Sequence, residues 1–330
     1  MHSARALASP NIALVKYWGN RGEAALRLAA SGSISITLGG LMTEIEVTFD
    51  EGLEADQLRL NGQPAQARAR ERTSRFLDAI RRLSGLDRFA AVESQTNFPV
   101  GAGIASSAAA FAALALAGSR AAGMQLPLPD LSRLARLGSG SACRSVYGGF
   151  VEWIAGDTHD TSLAQPLHPP EHWPLVDLVA VIDEQHKPVG STEGHALAST
   201  SPLQQARLND APSRLNACRR ALDRRDFEGL ARVVELDSNM MHAVMLTSTP
   251  PLAYWQPPTL SVMALVGRMR RDGVSVCYTI DAGPTVHCLC EPEQAELVAA
   301  ELSAIPGVRR VLRAQPGAGA RLIDGSPRPG

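Results

Sequence analysis

Lysine is almost missing from this chain. Lys16 and Lys187 are its only two, and the rest of its 32 basic residues are arginines. An arginine-for-lysine habit explains the scarcity as well as selection at those two sites does. A bilayer-spanning run is missing too: the apolar stretch from Ala108 to Ala117 stops well short of the roughly 18 to 20 residues a spanning helix needs. The opening MHSARALASPNIALVKYW holds too short an apolar run for a signal peptide, so folded structure is expected to begin almost at once. Cysteine is sparse, with five residues, an odd number, and no C-x-x-C pair, which argues against a disulfide framework and a structural zinc site and points to a reducing cytoplasm. Net charge is nearly absent, 32 basic against 33 acidic residues, so no global field draws the chain to nucleic acid or an anionic membrane. Any phosphate recognition is therefore local.

What is present is an ordinary globular composition, 45% hydrophobic over 330 residues, enough for one large or two ordinary domains. Strand patterns cover residues 11–17, 33–38 and 43–49, the last two alternating as half-buried strands do. A helix with Phe76, Leu77, Ile80 and Leu83 on its apolar face follows, then a strand near 89–95. Another strand starts near Gly148, and Pro166, Pro169, Pro170 and Pro174 mark a linker or surface excursion. Beyond it come a strand at 176–182, helices near 202–224, 226–245 and 259–271, and strand, strand, helix and strand over 275–312. Strands and helices mix without strict alternation, which predicts two α+β lobes with a cleft between them.

The chemistry begins at residues 99–117, PVGAGIASSAAAFAALALA. Gly101 and Gly103 let a backbone approach an anion closely, and Ser106 and Ser107 stand where a helix cap belongs, at the positive end of the helix dipole. Such a loop suits a nucleotide triphosphate; tight packing of a small-residue helix on a sheet accounts for the same letters. In NIALVKYWGNR, Lys16 sits in an apolar strand and needs an anionic partner if buried, or snorkels outward from an edge. Arg144 in GSGSACRS offers a planar fork for a carboxylate or phosphate, or is structural, capping a helix or pairing with a local acid. In VGSTEG, Ser191 and Thr192 read as caps of an anion-binding turn or of a plain helix. Asp281 in YTIDAGPTV ends a buried strand at a tight turn, a place for a catalytic base or an Asx-turn. The segment DSNMMHAVML, with His242, reads as a core helix.

Taken together, NIALVKYWGNR, SGSISITL, TNFPVGAGIASSAAAFAAL, GSGSACRSVYGGFVEW, VGSTEGH and YTIDAGPTV occur in the order and near the spacing of the mevalonate diphosphate decarboxylases, which this chain resembles over roughly residues 7 to 290. These belong to the GHMP kinase superfamily. GSGSACRS with its downstream Gly-Gly-Phe is particular to the decarboxylases. The resemblance implies an N-terminal lobe like the second domain of ribosomal protein S5 over residues 1–175, a ferredoxin-like lobe over 176–330, and the active site between them. It implies ATP-dependent phosphorylation of a mevalonate phosphate at its tertiary 3-hydroxyl, followed by loss of phosphate and CO2, within isoprenoid biosynthesis. Asp281, Arg144 and Lys16 match the catalytic residues: Asp281 for the hydroxyl proton, Arg144 for the carboxylate, Lys16 near the transferred phosphate. Pro99, Gly101, Ala102, Gly103, Ala105, Ser106 and Ser107 match the ATP cradle, with Ser107 toward Mg2+. Asn11, Tyr17, Ser141, Arg144, Ser191 and Thr192 match the substrate pocket. A homodimer is implied as well.

Three positions depart from the pattern the resemblance brings. Asn20 stands for the second lysine of K-Y-W-G-K-R, and Gly32 and Gly190 stand where serine is common. Each charge-assisted hydrogen bond is worth roughly 1.5 to 3 kcal/mol, so losing several weakens binding of a diphosphate. The expectation is therefore mevalonate 5-phosphate as substrate and isopentenyl phosphate as product. The alternative is the ordinary diphosphate, with a neighbouring arginine such as Arg21 replacing the lysine; less favoured are a 3-kinase that stops before CO2 loss and a nucleotide-binding module without turnover.

Overall fold

The computed structural model describes residues 2–99, 104–183 and 190–323. In chain order the strands of the first half are β1 (His2–Ala8), β2 (Asn11–Val15), β3 (Asn20–Arg21), β4 (Leu28–Ala29), β5 (Ser33–Gly39) and β6 (Thr43–Asp50). These are followed by β7 (Gln57–Leu60), β8 (Gln63–Pro64), β9 (Phe89–Thr96), β10 (Phe150–Ile154) and β11 (Leu163–His168). The helices of this half are α1 (Ala67–Ser84), α2 (Ser106–Ala121), α3 (Leu128–Gly138) and α4 (Ala142–Ser145). The second half adds β12 (Val176–Val181), β13 (Val276–Ile280), β14 (Val286–Cys290), β15 (Arg310–Pro316) and β16 (Arg321–Leu322). Its helices are α5 (Ser191–Leu197), α6 (Gln204–Arg224), α7 (Phe227–Leu246), α8 (Pro257–Arg271) and α9 (Ala295–Ser303).

One lobe is a six-stranded sheet ordered β16-β1-β6-β9-β7-β8, with α1 and α2 on its inner face. β6 alternates as its sequence predicts: Ile45, Val47 and Phe49 point into a core with Phe76, Leu77 and Ile80. Leu83, expected on that apolar face of α1, is exposed instead, because the helix turns it past the edge of the core. The alanines of α2 allow close approach, and a Cβ added to Gly118 would lie 2.5 Å from Ile80 Cδ1. The plain-packing reading of the alanine run therefore holds for the body of α2.

The second sheet follows the order β11-β10-β5-β15-β12-β14-β13, with β2 also paired to β5. β5 does not alternate; residues 33–38 are all buried, since α4 packs on it from one lobe and α6 from the other. The proline-rich passage is not a linker. β11 is the terminal strand of its sheet, where the missing N–H of Pro166 costs no ladder bond, and Trp173 is buried in the core. β15 joins the lobes, pairing with β12 through residues 310–314 and with β5 through Gln315 and Pro316. β16 then returns to β1. We propose residues 175/176 as the boundary of the two sequence domains, with β15 and β16 crossing back over it.

What positions the site is α7. Asp237, completely buried, accepts from the Lys16 backbone N–H at 2.7 Å, while Arg207 of α6 donates to the Lys16 carbonyl at 2.8 Å. Arg214 binds the other Asp237 oxygen at 2.6 Å and the Arg207 carbonyl at 2.9 Å. The next residue, Ser238, accepts from Ile280 N–H at 3.0 Å, and one turn further on His242 Nε2 lies 3.3 Å from the Ile280 carbonyl. A single helix thus grips the backbone at Lys16 and next to Asp281. Asp237→Asn leaves two buried guanidiniums without their shared anion and is expected to cost about 3–5 kcal/mol, measured as a lower urea midpoint at unchanged m-value.

Candidate active site

β2 ends at Val15 and β13 at Ile280, so the next residue of each strand, Lys16 and Asp281, emerges at the same level between the lobes. Lys16 Nζ lies 2.5 Å from Asp281 Oδ1. Lys16 is 1% exposed, so it faces inward with an anionic partner rather than snorkelling from an edge. Burial alone would raise the Asp281 carboxyl, but the Lys16 ammonium outweighs it and holds the group below its ordinary value of 3.8. The Gly283 N–H donates to the Asp281 carbonyl at 2.7 Å, closing the tight turn that presents the carboxylate.

Arg144 is buried on α4 and within electrostatic reach of both. Its guanidinium donates to Asn11 Oδ1 at 3.0 and 3.2 Å, to Ser35 Oγ at 3.0 Å and to Ser33 Oγ at 2.6 Å. All are neutral acceptors; among the described residues no carboxylate lies within 4.0 Å of it. Asn11 also donates to the Ser141 carbonyl at 3.0 Å and to Ser145 Oγ at 2.8 Å. Both ends of the Asn11 amide are therefore committed to holding Arg144 and the 141–145 turn.

Tyr17 stacks on His195 with centroids 4.1 Å apart and leans on Trp153 at 4.6 Å; its hydroxyl donates to Asn20. Gly19 N–H donates to His195 Nδ1 at 3.0 Å, and burial lowers that imidazole to about 3, so it is neutral. His195 belongs to α5, which docks so closely that a Cβ on Gly194 would fall 2.5 Å from the Trp18 ring. Ser191 and Thr192 ride on that helix and are exposed. They are its first two residues, not its caps: Gly190 occupies the cap, and its N–H donates to Glu193 Oε2 at 3.1 Å.

The same correction applies to α2. Ser106 and Ser107 are its first two residues and Ala105, at φ +46°, is the cap with no side-chain acceptor to offer. The helix therefore keeps its amino end for another acceptor, at a cost of roughly 1–2 kcal/mol for the left-handed alanine. Ser107 Oγ lies 3.1 Å from Ser139 Oγ, which joins this end to the 138–141 loop. Pro99 precedes it; Gly101, Ala102 and Gly103 lie outside the described residues, as does Lys187. Among the described residues no three His, Cys, Asp or Glu side chains converge to hold a metal. A Mg2+ ion at this end fits as one carried by nucleotide phosphates with Ser107 beside it, since Mg2+ retains water and phosphate oxygens.

Asp237, Arg207, Arg214 and His195 were invisible as site residues in the sequence. The one signal was seven-residue spacing of Arg207 and Arg214, which places both on one face of a helix whose buried side should be apolar.

Two α+β lobes joined through a shared sheet, with a small-residue helix presenting its amino end between them, define a GHMP-type fold. Residues 8–164 match the diphosphomevalonate decarboxylase-like N-terminal domain and residues 177–314 the mevalonate 5-diphosphate decarboxylase C-terminal domain. The chain belongs to the diphosphomevalonate decarboxylase family. It is 39% identical over 324 residues to the Homo sapiens diphosphomevalonate decarboxylase, covering 91% of this chain and 80% of that one. The Aspergillus fumigatus protein is 37% identical over 330 residues, covering 93% and 81%. The crystal structure of mevalonate diphosphate decarboxylase from Staphylococcus aureus superposes with a TM-score of 0.93 at 39% identity, covering 98% of each chain. A structure described as MDDEF in complex with MVAPP, AMPPCP and magnesium superposes with 0.92 at 37% identity, covering 98% of this chain and 99% of that one.

Because the folded Asp281 value is the depressed one, the ionised Asp281 carboxylate contributes stability above the ordinary carboxylate range, and that contribution fades as pH falls through the folded value, while burial of Lys16, whose own value is lowered, works against it. Lys16→Met removes the largest influence opposing burial and leaves only the lesser ones of His287 and Arg144. Titration of the Asp281 carboxyl by carbon-13 NMR is expected below 3.8 in the parent protein and above it in the variant; an unmoved midpoint would break the assignment of Lys16 as its counter-ion.

Proposed function

We propose that this chain carries out the ATP-dependent decarboxylation of a mevalonate phosphate, with mevalonate 5-diphosphate as substrate and isopentenyl diphosphate as product. The observation that carries the reading is the Lys16–Asp281 pair beside Arg144, a buried guanidinium without a carboxylate of its own among the described residues. A 3-hydroxy acid completes that arrangement. Arg144 takes the carboxylate with the guanidinium hydrogens its neutral acceptors leave over, fixing the conformer from which CO2 departs. Asp281 accepts the proton of the tertiary hydroxyl as that oxygen attacks the transferred phosphoryl group. Lys16 keeps Asp281 ionised for that step and places a positive charge where the phosphoryl group passes. As the new 3-phosphate leaves, positive charge develops at C3, and the electrons of the breaking C1–C2 bond form the alkene. ATP with Mg2+ supplies the phosphoryl group and its charge neutralisation. The amino end of α2, with Ser106 and Ser107, supports their placement, as do the AMPPCP and magnesium of the similar MDDEF structure.

The related proteins, all diphosphomevalonate decarboxylases in the curated matches cited, favour the diphosphate over the monophosphate expected from sequence alone. Mevalonate 5-phosphate remains a second reading because of position 20: Asn20 is neutral, exposed and engaged by the Tyr17 hydroxyl. Gly32 is filled from elsewhere, since a Cβ there would lie 3.1 Å from Leu215 Cδ1 and 3.2 Å from the Trp153 carbonyl; Gly190 has room, with Glu193 Oε2 at 3.9 Å. The homodimer and cytoplasmic location that the resemblance implies belong to the same proposal, and the five buried free cysteines accord with a reducing compartment.

Parallel kcat/KM measurements on mevalonate 5-diphosphate and 5-phosphate, following CO2 release, are expected to favour the diphosphate; a clear preference for the monophosphate would replace the first reading by the second. Asp281→Asn is expected to lower kcat by about 10²–10⁴, the usual contribution of a positioned base. Unchanged turnover in that variant would remove Asp281 from the chemistry.

A further inference from the structure

Two guanidiniums stand side by side at the carboxyl end of α3. Arg27 Nε donates to the Leu137 carbonyl at 3.0 Å and Arg72 Nη2 to the next carbonyl, Gly138, at 2.8 Å. Arg72 also lies over the Phe111 ring, 4.6 Å from its centroid, and both side chains are half-buried. Three other partly buried arginines face carboxylates: Arg81 faces Asp56, Arg133 faces Asp130, and Arg270 faces Glu228 and Glu235, whereas Arg136 meets the ring and carbonyl of His159 instead. Among the described residues, Arg27 and Arg72 have no carboxylate within 4.0 Å. Burial lowers Arg72 to about 10, and the nearby charges of Arg27, Arg68 and Arg75 push the same way. Two like charges held by helix-end carbonyls, without an acid between them, are oriented yet not neutralised, which makes the pair a candidate receptor for an anion.

The receptor adjoins the substrate pocket. The carbonyls that hold it belong to the residues leading into Ser139, Gly140 and Ser141, and a Cβ on Gly140 would lie 2.6 Å from the Tyr17 ring. Arg27 is within electrostatic reach of Tyr17 and of His195. The neighbour that sequence alone offered, Arg21, is occupied elsewhere: it pairs with Asp157 at 2.8 Å and donates to the Gly156 carbonyl. We infer that Arg27 is the specificity-determining residue for the phosphate end of the substrate, supplying, beside Arg72, the cation that position 20 does not carry in this chain. This rests on the function proposed above and names the contact that recognises its substrate.

In Arg27→Ala the KM for the phosphorylated mevalonate is expected to rise by about tenfold or more, the loss of one charge-assisted bond, with kcat and the KM for ATP nearly unchanged. Adding Asn20→Lys to that variant is expected to recover most of the lost affinity. Arg27→Gln, which keeps a donor for the Leu137 carbonyl, serves where the alanine variant does not fold and is expected to show the same KM rise. An unchanged KM with a lower Tm would make Arg27 a helix-end cation only and overturn the inference, as would a KM rise that Asn20→Lys does not relieve. If the parent protein turns over neither mevalonate phosphate, the proposed function fails by itself. Calorimetric titration with inorganic pyrophosphate then decides: weaker binding in Arg27→Ala than in the parent supports the inference, and equal or undetectable binding in both overturns it.

Discussion

Everything at the centre of this protein depends on α7 holding two strand ends at once. Asp237 of α7 grips the N–H of Lys16, with Arg207 of the neighbouring α6 on its carbonyl, while Ser238 and His242 of α7 grip Ile280. The Lys16 ammonium and the Asp281 carboxylate therefore meet because their backbones cannot drift, and not only because opposite charges attract. An ion pair between flexible side chains in water is worth little; one built from restrained backbones retains its geometry while a substrate exchanges partners with it. The Asp237–Arg207–Arg214 network is buried and costly to desolvate, so its contribution is placement more than stability.

Charge is divided by what the protein leaves unpaired. Asp237 is satisfied entirely by protein groups and works as a fastener. Arg144 is cradled by Asn11, Ser33 and Ser35, acceptors that hold its plane without neutralising it. Arg27 and Arg72 repeat that device with two backbone carbonyls at the other end of the 138–141 loop. Neutral acceptors orient a guanidinium while leaving its charge available, and a negatively charged ligand then meets sites that need no rearrangement.

Legibility differed by kind of signal. The alternation of β6, the spacing of Phe76, Leu77 and Ile80, and the end of a strand at Asp281 were readable because they are local patterns. α3 shows helical spacing at Leu131, Leu134, Ala135 and Gly138 although it is not among the elements expected from the sequence, and β5 alternates in sequence yet is buried on both faces, because the second covering layer comes from another lobe. The hydroxyl residues at the starts of α2 and α5 suggested caps, but the cap positions fall just before them, at Ala105 and Gly190. Capping depends on the backbone angles at one position, and sequence preference alone does not set those.

By itself the sequence determined which residues were available for chemistry: one lysine in an apolar strand, an arginine amid small residues, an aspartate before a tight turn, and a neutral residue at position 20. Those are properties of side-chain type and neighbours along the chain. The tertiary structure decided which of them meet and which are already spent. Lys16 and Asp281 are separated by 265 positions, Asn11 and Arg144 by 133, and Arg21 is bound to Asp157 while Arg27 is left without an acid among the described residues. Electrostatics acts through distances of a few ångströms and through burial, and only the packing of α6 and α7 on the strands sets either one.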